Sequence, residues 1–197
     1  KTWQYLNYCE KDGFGWMWEC PDFFEIDGKG VTIFSPMGFF NDRNGYDSVA
    51  VCMLSSFDEN TGKMELSENC QLFDYGIDLY APQSTTDKDG NRVVIAWARM
   101  PEAVITEKGE WCGMMCIPRI VDVKNNHVYI RPHTNVKNSF VTKLSAPKKS
   151  GYMLKTTLKN GESINVGGYV IKRENDKITT DRSKVFNIKG NYRLIAE

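Results

Sequence analysis

The strongest constraint on the fold is a short pattern that occurs three times along the 197-residue chain. Each copy has a proline and a strand-like run, then an Asp-Gly or Asn-Asn pair, and finally a run rich in β-branched residues. The copies span residues 20–34, 81–97 and 117–130. Asp-Gly and Asn-Asn pairs tolerate the positive φ angles of tight turns, so each copy predicts a β-hairpin that forms half of a larger sheet.

Segments between the hairpins extend this prediction to an all-β chain. Two more strands are expected at residues 48–56 and 63–67, which gives a four-stranded unit with the first hairpin. Repeated four-stranded units are typical of a β-propeller, in which the first strand of each blade lines the central channel. No stretch of about 12 residues combines a helical apolar period with good caps, so very little helix is expected.

The sequence becomes more polar after Pro132, and this change of composition predicts a second domain. Polar connectors at residues 133–139 and 147–151 precede strand-like segments at 152–158, 163–166, 169–173 and 177–180. We therefore expect about three blades of a partial five-bladed propeller in residues 1–138. Part of a β-sandwich is expected in residues 139–197.

Composition bears on the class of partner. Twenty-five basic and 25 acidic residues give zero net charge, without the basic excess of nucleic-acid or anionic-membrane binders. The longest apolar run, residues 49–54, is far shorter than the roughly 20 residues of a membrane span. There is no C-x-x-C pair, and His127 and His133 lie in a ligand-poor stretch, so neither metal nor cofactor is expected.

The six cysteines are scattered, and several lie in apolar surroundings, as buried reduced thiols do. Their even number also permits disulfides, and this alternative stays open. Reduced thiols of this kind favour a cytoplasmic location. No signal peptide is visible, because no charged and apolar leader follows Lys1.

Glu19 is the first candidate for chemistry, because it lies between Trp16, Met17, Trp18 and Cys20 in the sequence. Apolar surroundings disfavour a carboxylate anion, so such a glutamate keeps its proton and can donate it to a leaving-group oxygen. The alternative is a strand-end glutamate paired with a nearby lysine. Composition alone favours that structural role.

The segment W-E-C-P-D-F-F at residues 18–24 resembles the E-C-P motif of glycoside hydrolase family 32, the invertases and other β-fructosidases. Other segments are similar to family motifs in the same order: S-P-M-G at 35–38, D-L-Y-A-P-Q-S at 78–84, I-A-W at 95–97, G-x-x-x-x-P-R at 113–119 and D-R-S at 181–183. Ile120 stands where the family usually has Glu, so we assign Arg119 a structural role.

The resemblance implies a five-bladed propeller, a following β-sandwich and retaining hydrolysis of β-fructosides through a covalent fructosyl-enzyme. Glu19 would be the general acid/base, and its neighbour Cys20 is counted among the substrate-binding residues. Asp78 would accept hydrogen bonds from sugar hydroxyls, Tyr80 would supply an aromatic wall and Trp97 would border the sugar pocket. The structural alternatives are a strand-capping Asp78, a core Tyr80 and a core or rim Trp97.

Retaining chemistry also needs a second carboxylate about 5–5.5 Å from the acid/base. The family takes its nucleophile from an N-D-P-N-G motif and a stabilising Asp from an R-D-P motif, and neither motif is present in these residues. The N-D-R-N-G of residues 41–45 follows the acid/base and lacks the proline, so it is interpreted as a turn. Asp22 is excluded because a residue three positions from Glu19 on a regular strand points to the opposite face.

We therefore expect part of a β-fructofuranosidase that hydrolyses sucrose or sucrose 6-phosphate, inactive on its own because the nucleophile is missing. Its partner would be a small β-fructoside, and neither nucleic acid nor membrane. A non-catalytic carbohydrate-binding propeller and a purely structural β protein remain the alternatives. The sequence leaves open the choice between sucrose, its 6-phosphate and fructans, the choice between hydrolysis and fructosyl transfer, and the oligomeric state.

Overall fold

The computed structural model describes residues 2–39, 49–74, 76, 78–99, 104–143, 145–146, 152–166, 169–175, 177–180 and 191–192. It divides into two compact units, with the division between Arg131 and Pro132. Strands dominate both units, which confirms the all-β class. Within the described ranges, no helix is long and apolar enough to cross a membrane.

The first sheet is an antiparallel meander built from the first hairpin and the segments that follow it. Its strands are β1 (Met17–Ile26), β2 (Lys29–Met37), β3 (Val51–Asp58), β4 (Lys63–Leu66) and β5 (Gln71–Leu72). The order is β1-β2-β3-β4, and β5 pairs with the start of β3. Asp27 and Gly28 between β1 and β2 have φ of 50° and 71°, so the predicted hairpin turn is confirmed.

The second sheet combines the second and third hairpins. Its strands are β6 (Leu79–Thr86), β7 (Arg92–Ala98), β10 (Met114–Met115), β11 (Arg119–Lys124) and β12 (His127–Pro132), and the short β8 (Val104–Thr106) and β9 (Gly109–Trp111) pair separately. Both β10 and β11 pair with β7, so the third hairpin completes this sheet. The described residues thus hold two blade-type sheets where the sequence predicts about three.

One apolar cluster joins the two sheets of the first unit. The odd-numbered residues of β2 alternate onto one face, where Val31 and Ile33 are fully buried. They pack with Phe24 of β1 and with second-sheet residues that include Val94 and Val121. This face-to-face packing brings the first strands of the two sheets, β1 and β6, next to each other.

A glutamine side chain adds a polar connection between the same sheets. The Oε1 of Gln71 accepts the main-chain N–H of Val128 at 2.9 Å, and its Nε2 donates to the carbonyl of Val128 at 3.1 Å. The same Nε2 lies 2.9 Å from Nε2 of His127. The amide therefore satisfies both main-chain groups of Val128, as a neighbouring strand would.

The second unit contains the helix α1 (Thr134–Asn138) and one antiparallel sheet. The sheet order is β13 (Ser163–Val166), β14 (Tyr169–Glu174), β15 (Lys177–Thr180) and β16 (Asn191–Tyr192). The strand predicted at residues 152–158 is wrong, because this segment has no strand partner among the described residues. Its Met153 and Leu154 are 41% and 50% exposed, so its apolar pattern does not face a core there.

We expect Gln71→Ala to lower the free energy of unfolding by about 1–3 kcal/mol, because the buried N–H and carbonyl of Val128 lose their partner. Urea denaturation of the 197-residue chain measures this effect. Gln4→Ala, at an exposed position, is the control and should change stability by less than about 0.5 kcal/mol. Equal stability of the two variants would contradict the assigned role of Gln71.

Candidate active site

The E-C-P segment forms a β-bulge in β1. The register with β2 shifts between Glu19 and Asp22, and Cys20 has a positive φ of 51°. Pro21 has no N–H to donate to a neighbouring strand, and prolines within sheets are confined to edge strands, strand starts and bulges. The bulge removes the proline from the ladder and accommodates one extra residue.

The second sheet has the same irregularity at its A-P pair. The register between β6 and β7 shifts between Tyr80 and Gln83, and Ala81 has a φ of 51°. Pro82 takes the place that Pro21 has in β1. The E-C-P and Y-A-P segments are therefore equivalent bulges on adjacent first strands.

The bulge overturns the reason for which Asp22 is excluded. Glu19 lies opposite Ser35 and Asp22 lies opposite Ile33, two residues apart on β2, so Glu19 and Asp22 share one face. The exclusion of Asp22 assumes that side chains alternate strictly along the strand, and the extra residue in the bulge breaks that alternation. Asp22 is instead engaged in the fold, because its Oδ2 accepts the main-chain N–H of Ser84 at 2.8 Å.

Glu19 meets the second sheet through a short hydrogen bond. The hydroxyl of Tyr80 donates to Oε2 of Glu19 at 2.6 Å. Tyr80 is 8% exposed, whereas Glu19 is half-buried. Within the described ranges no lysine pairs with Glu19, so the alternative of a strand-end ion pair is not the arrangement observed.

The sequence predicts that the neighbouring indole rings surround Glu19, and the structure shows that they do not. Trp18 points to the opposite face of β1, where its ring stacks on Phe34 at 4.2 Å and its Nε1 donates to the carbonyl of Phe14. Trp16 is 69% exposed. The aromatic partner of Glu19 is Tyr80.

Arg99 is a site residue that sequence reasoning missed. Its guanidinium carbon lies 4.7 Å from the centre of the Tyr80 ring, a cation–π distance. Its main-chain N–H donates to the carbonyl of Asp78 at 2.8 Å, which holds Arg99 beside the start of β6. The sequence signal for Arg99 is a basic residue two positions after Trp97, directly after the end of β7.

Two further contacts hold the bulges against each other. The Nε2 of Gln83 donates to the carbonyl of Cys20 at 2.9 Å, and the buried hydroxyl of Ser35 accepts the N–H of Ala81 at 3.1 Å. Ser35 belongs to the S-P-M-G segment, whose structural role the sequence did not reveal. The Cys20 side chain is exposed.

The remaining predicted site residues lie near Glu19 and Tyr80. Asp78 immediately precedes β6, and Trp97 of β7 is the cross-strand partner of Tyr80 and 43% exposed. Arg119 forms an ion pair with Asp74 at 2.5 Å, which is a structural contact. The N-D-R-N-G segment of residues 41–45 lies outside the described residues.

Burial raises the pKa of the Tyr80 hydroxyl above its ordinary value of 10.0, and the hydrogen bond and negative charge of Glu19 raise this pKa further. The positive charge of Arg99 opposes the shift. Tyr80 is therefore a hydrogen-bond donor throughout the neutral range. Among the described side chains, no three His, Cys, Asp or Glu residues cluster as metal ligands would.

Comparison with solved structures gives the same architecture. A β-fructofuranosidase from Schwanniomyces occidentalis matches with a TM-score of 0.62 at 16% identity, over 96% of this chain and 48% of that chain. A family 32 β-fructofuranosidase from Bombyx mori matches with a TM-score of 0.56 at 24% identity, over 81% of this chain and 32% of that chain. These neighbours have an N-terminal β-propeller domain, so the two sheets of the first unit are propeller blades.

Sequence comparison is more specific. The sucrose-6-phosphate hydrolase of Vibrio alginolyticus is 36% identical over 146 residues, which are 70% of this chain and 30% of that protein. The raffinose invertase of Escherichia coli is 32% identical over 131 residues, which are 64% of this chain and 27% of that protein. The model of the glycosyl hydrolases family 32 N-terminal domain matches residues 1–132. The chain therefore belongs to glycosyl hydrolase family 32.

Proposed function

We propose that this chain carries the acid/base side of a retaining β-fructofuranosidase that acts on sucrose or sucrose 6-phosphate. The observation that supports the proposal most directly is the 2.6 Å hydrogen bond from Tyr80 to Glu19. It joins two family motifs at the equivalent bulges of adjacent blades. The chain spans 30% of the Vibrio alginolyticus relative and 27% of the Escherichia coli relative. The enzymatic activity of such a relative is therefore a proposal for this chain.

Glu19 supplies the proton in this reaction. The Tyr80 hydroxyl engages Oε2, and Oε1 has no hydrogen-bond partner among the described residues. A proton on Oε1 passes to the glycosidic oxygen as the bond to the fructosyl carbon breaks and an upstream aspartate bonds to that carbon. The resulting Glu19 carboxylate then takes a proton from the water that releases fructose from the enzyme.

Tyr80 has a different role in this proposal from the aromatic wall that the sequence suggests. Its ring is buried under Arg99, and its hydroxyl fixes the direction of the Glu19 carboxyl group. Trp97, with an indole that stays partly accessible beside Tyr80, is the better candidate for contact with a sugar ring. We propose Asp78 and Cys20 as further substrate neighbours because they flank Tyr80 and Glu19.

Cleavage of sucrose when the upstream motifs are present separates the proposal from its alternative. A non-catalytic carbohydrate-binding propeller would bind sucrose without cleaving it, even when the upstream motifs are present. In the enzyme, residues 1–197 alone should not hydrolyse sucrose, because they lack the family's nucleophile motif.

In the full-length protein, we expect Glu19→Gln to reduce kcat/KM for sucrose and sucrose 6-phosphate by about 10²–10⁴-fold, because the amide cannot donate a proton to the leaving group. Asp22→Asn is the matched control, since it lies on the same face and keeps an oxygen that accepts the Ser84 N–H. The control should change kcat/KM by less than about threefold. A loss below about tenfold for Glu19→Gln, or an equal loss for both variants, would refute the assignment.

The raised pKa of Tyr80 predicts a pH dependence. Because the folded-state pKa of Tyr80 lies above 10.0, its contribution to the free energy of unfolding is fully present below pH 10.0. This contribution is lost as the pH rises from 10.0 through the folded-state pKa. Glu19→Gln should lower the pKa of Tyr80, because one negative charge is removed, but leave it above 10.0 because burial persists.

Titration of ¹³C-labelled tyrosine by NMR measures both values, with Tyr80→Phe to assign the resonance. A Tyr80 that ionises at the ordinary tyrosine value would show that the buried contact with Glu19 is absent in solution.

A further inference from the structure

Trp97 lies near the end of β7, an interior strand of the second sheet, and is partly open to solvent. It lies on β7 with Tyr80 as its cross-strand partner on one side and Met115 as its partner on the other. Its side chain is 43% exposed, and Met115 is 65% exposed. Trp97 therefore pairs with the tyrosine that holds Glu19, and Met115 on its other side leaves it partly exposed.

The closest restraint on the ring comes from Gly113, just before β10. A Cβ atom at Gly113 would lie 2.1 Å from Nε1 of Trp97, 3.0 Å from Cε2 and 3.1 Å from Cδ1. Carbon atoms in contact are normally about 3.5–4.0 Å apart. The five-membered ring of the indole thus lies directly on the main chain of Gly113, in space that any other residue would fill.

This contact determines where the indole can lie. Gly113 is held near β7 because the next two residues, Met114 and Met115, pair with Ala98 and Trp97. Cys116 then donates its N–H to the carbonyl of Ala96 at 2.9 Å. The main chain on this side of β7 is consequently fixed, so the indole must move if a side chain appears at position 113.

We propose that Gly113 is a positioning residue for substrate: by lacking a side chain it lets the Trp97 indole lie beside Tyr80, where the ring contacts the sugar. The inference rests on the proposed function, in which Trp97 borders a β-fructoside. Gly113 itself does not touch the substrate. Its role explains why a glycine opens the G-x-x-x-x-P-R segment.

Gly90 provides a matched control within the same sheet. Both glycines have a φ of 84°, so an alanine at either position carries the same backbone strain. A Cβ at Gly90 meets nothing within 4 Å. Any difference between Gly113→Ala and Gly90→Ala therefore reports the contact with the indole.

The position of the ring is tested first on the 197-residue chain. ¹⁵N-labelled tryptophan shows the indole N–H resonances, and Trp97→Ala identifies the one from Trp97. Gly113→Ala should displace this resonance, and Gly90→Ala should leave it in place. If Gly113→Ala does not fold, the double variant Gly113→Ala/Trp97→Ala should fold, because the clash is then absent. An unmoved resonance, or a double variant that also fails to fold, would overturn the proposal.

The consequence for substrate is tested by sucrose hydrolysis in the full-length protein. Gly113→Ala should raise KM about tenfold with kcat changed less than about twofold, and Gly90→Ala should change neither by more than about twofold. In the Trp97→Ala background, Gly113→Ala should have no further effect, since the two residues act through one contact.

An unchanged KM, or an effect that persists without the indole, would refute the substrate-positioning role. If the full-length wild type hydrolyses no fructoside, the proposed function fails and the sugar-contact part of this inference fails with it. The NMR result would still show separately whether Gly113 positions the ring.

Discussion

The arrangement of the candidate site depends on one limitation of proline: it cannot donate a hydrogen bond to a neighbouring strand. The first strand of each of the two blades has a bulge at its proline, with Cys20 and Ala81 both at positive φ. On the face of β1 that meets the adjacent sheet, odd-numbered residues such as Glu19 lie before the bulge, and even-numbered residues such as Asp22 lie after it. Glu19 consequently reaches Tyr80, and Asp22 reaches the main chain of Ser84, although regular strand geometry would separate them.

The polar groups that the bulges release from the ladders find partners across the gap between the blades. The N–H of Ala81 binds Ser35, and the carbonyl of Cys20 binds Gln83. The Ala81 N–H is partly buried, and a buried polar group without a partner is costly, so the bulge of β6 depends on Ser35 in the neighbouring blade. Glu19 and Tyr80 are therefore positioned by the packing of two blades and not by either blade alone.

The sequence predicted the hairpins well because their turns use pairs with a clear conformational preference. Asp27-Gly28 and Asn125-Asn126 adopt the positive φ angles that hairpin turns require. Two of the predictions that failed at the site involved side-chain direction: Trp18 lies away from Glu19, and Asp22 lies on the same face as Glu19. The Asp22 prediction used the alternation of a regular strand, which the bulge at Cys20 breaks, and a non-glycine residue with positive φ has no recognisable sequence signal. The Trp18 prediction used adjacency in the sequence and ignored that alternation, which places Trp18 and Glu19 on opposite faces. Arg99 and Ser35 were missed because their roles depend on contacts between sheets.

The left-handed conformations of Cys20 and Ala81 have a cost. A non-glycine residue held in this region destabilises the folded state by about 1–3 kcal/mol. Evolution toward higher thermal stability could relieve this strain with glycine at either position, but the freed backbone would no longer hold its neighbour in one direction. At these two positions, the backbone strain that lowers stability also fixes the directions of Glu19 and Tyr80.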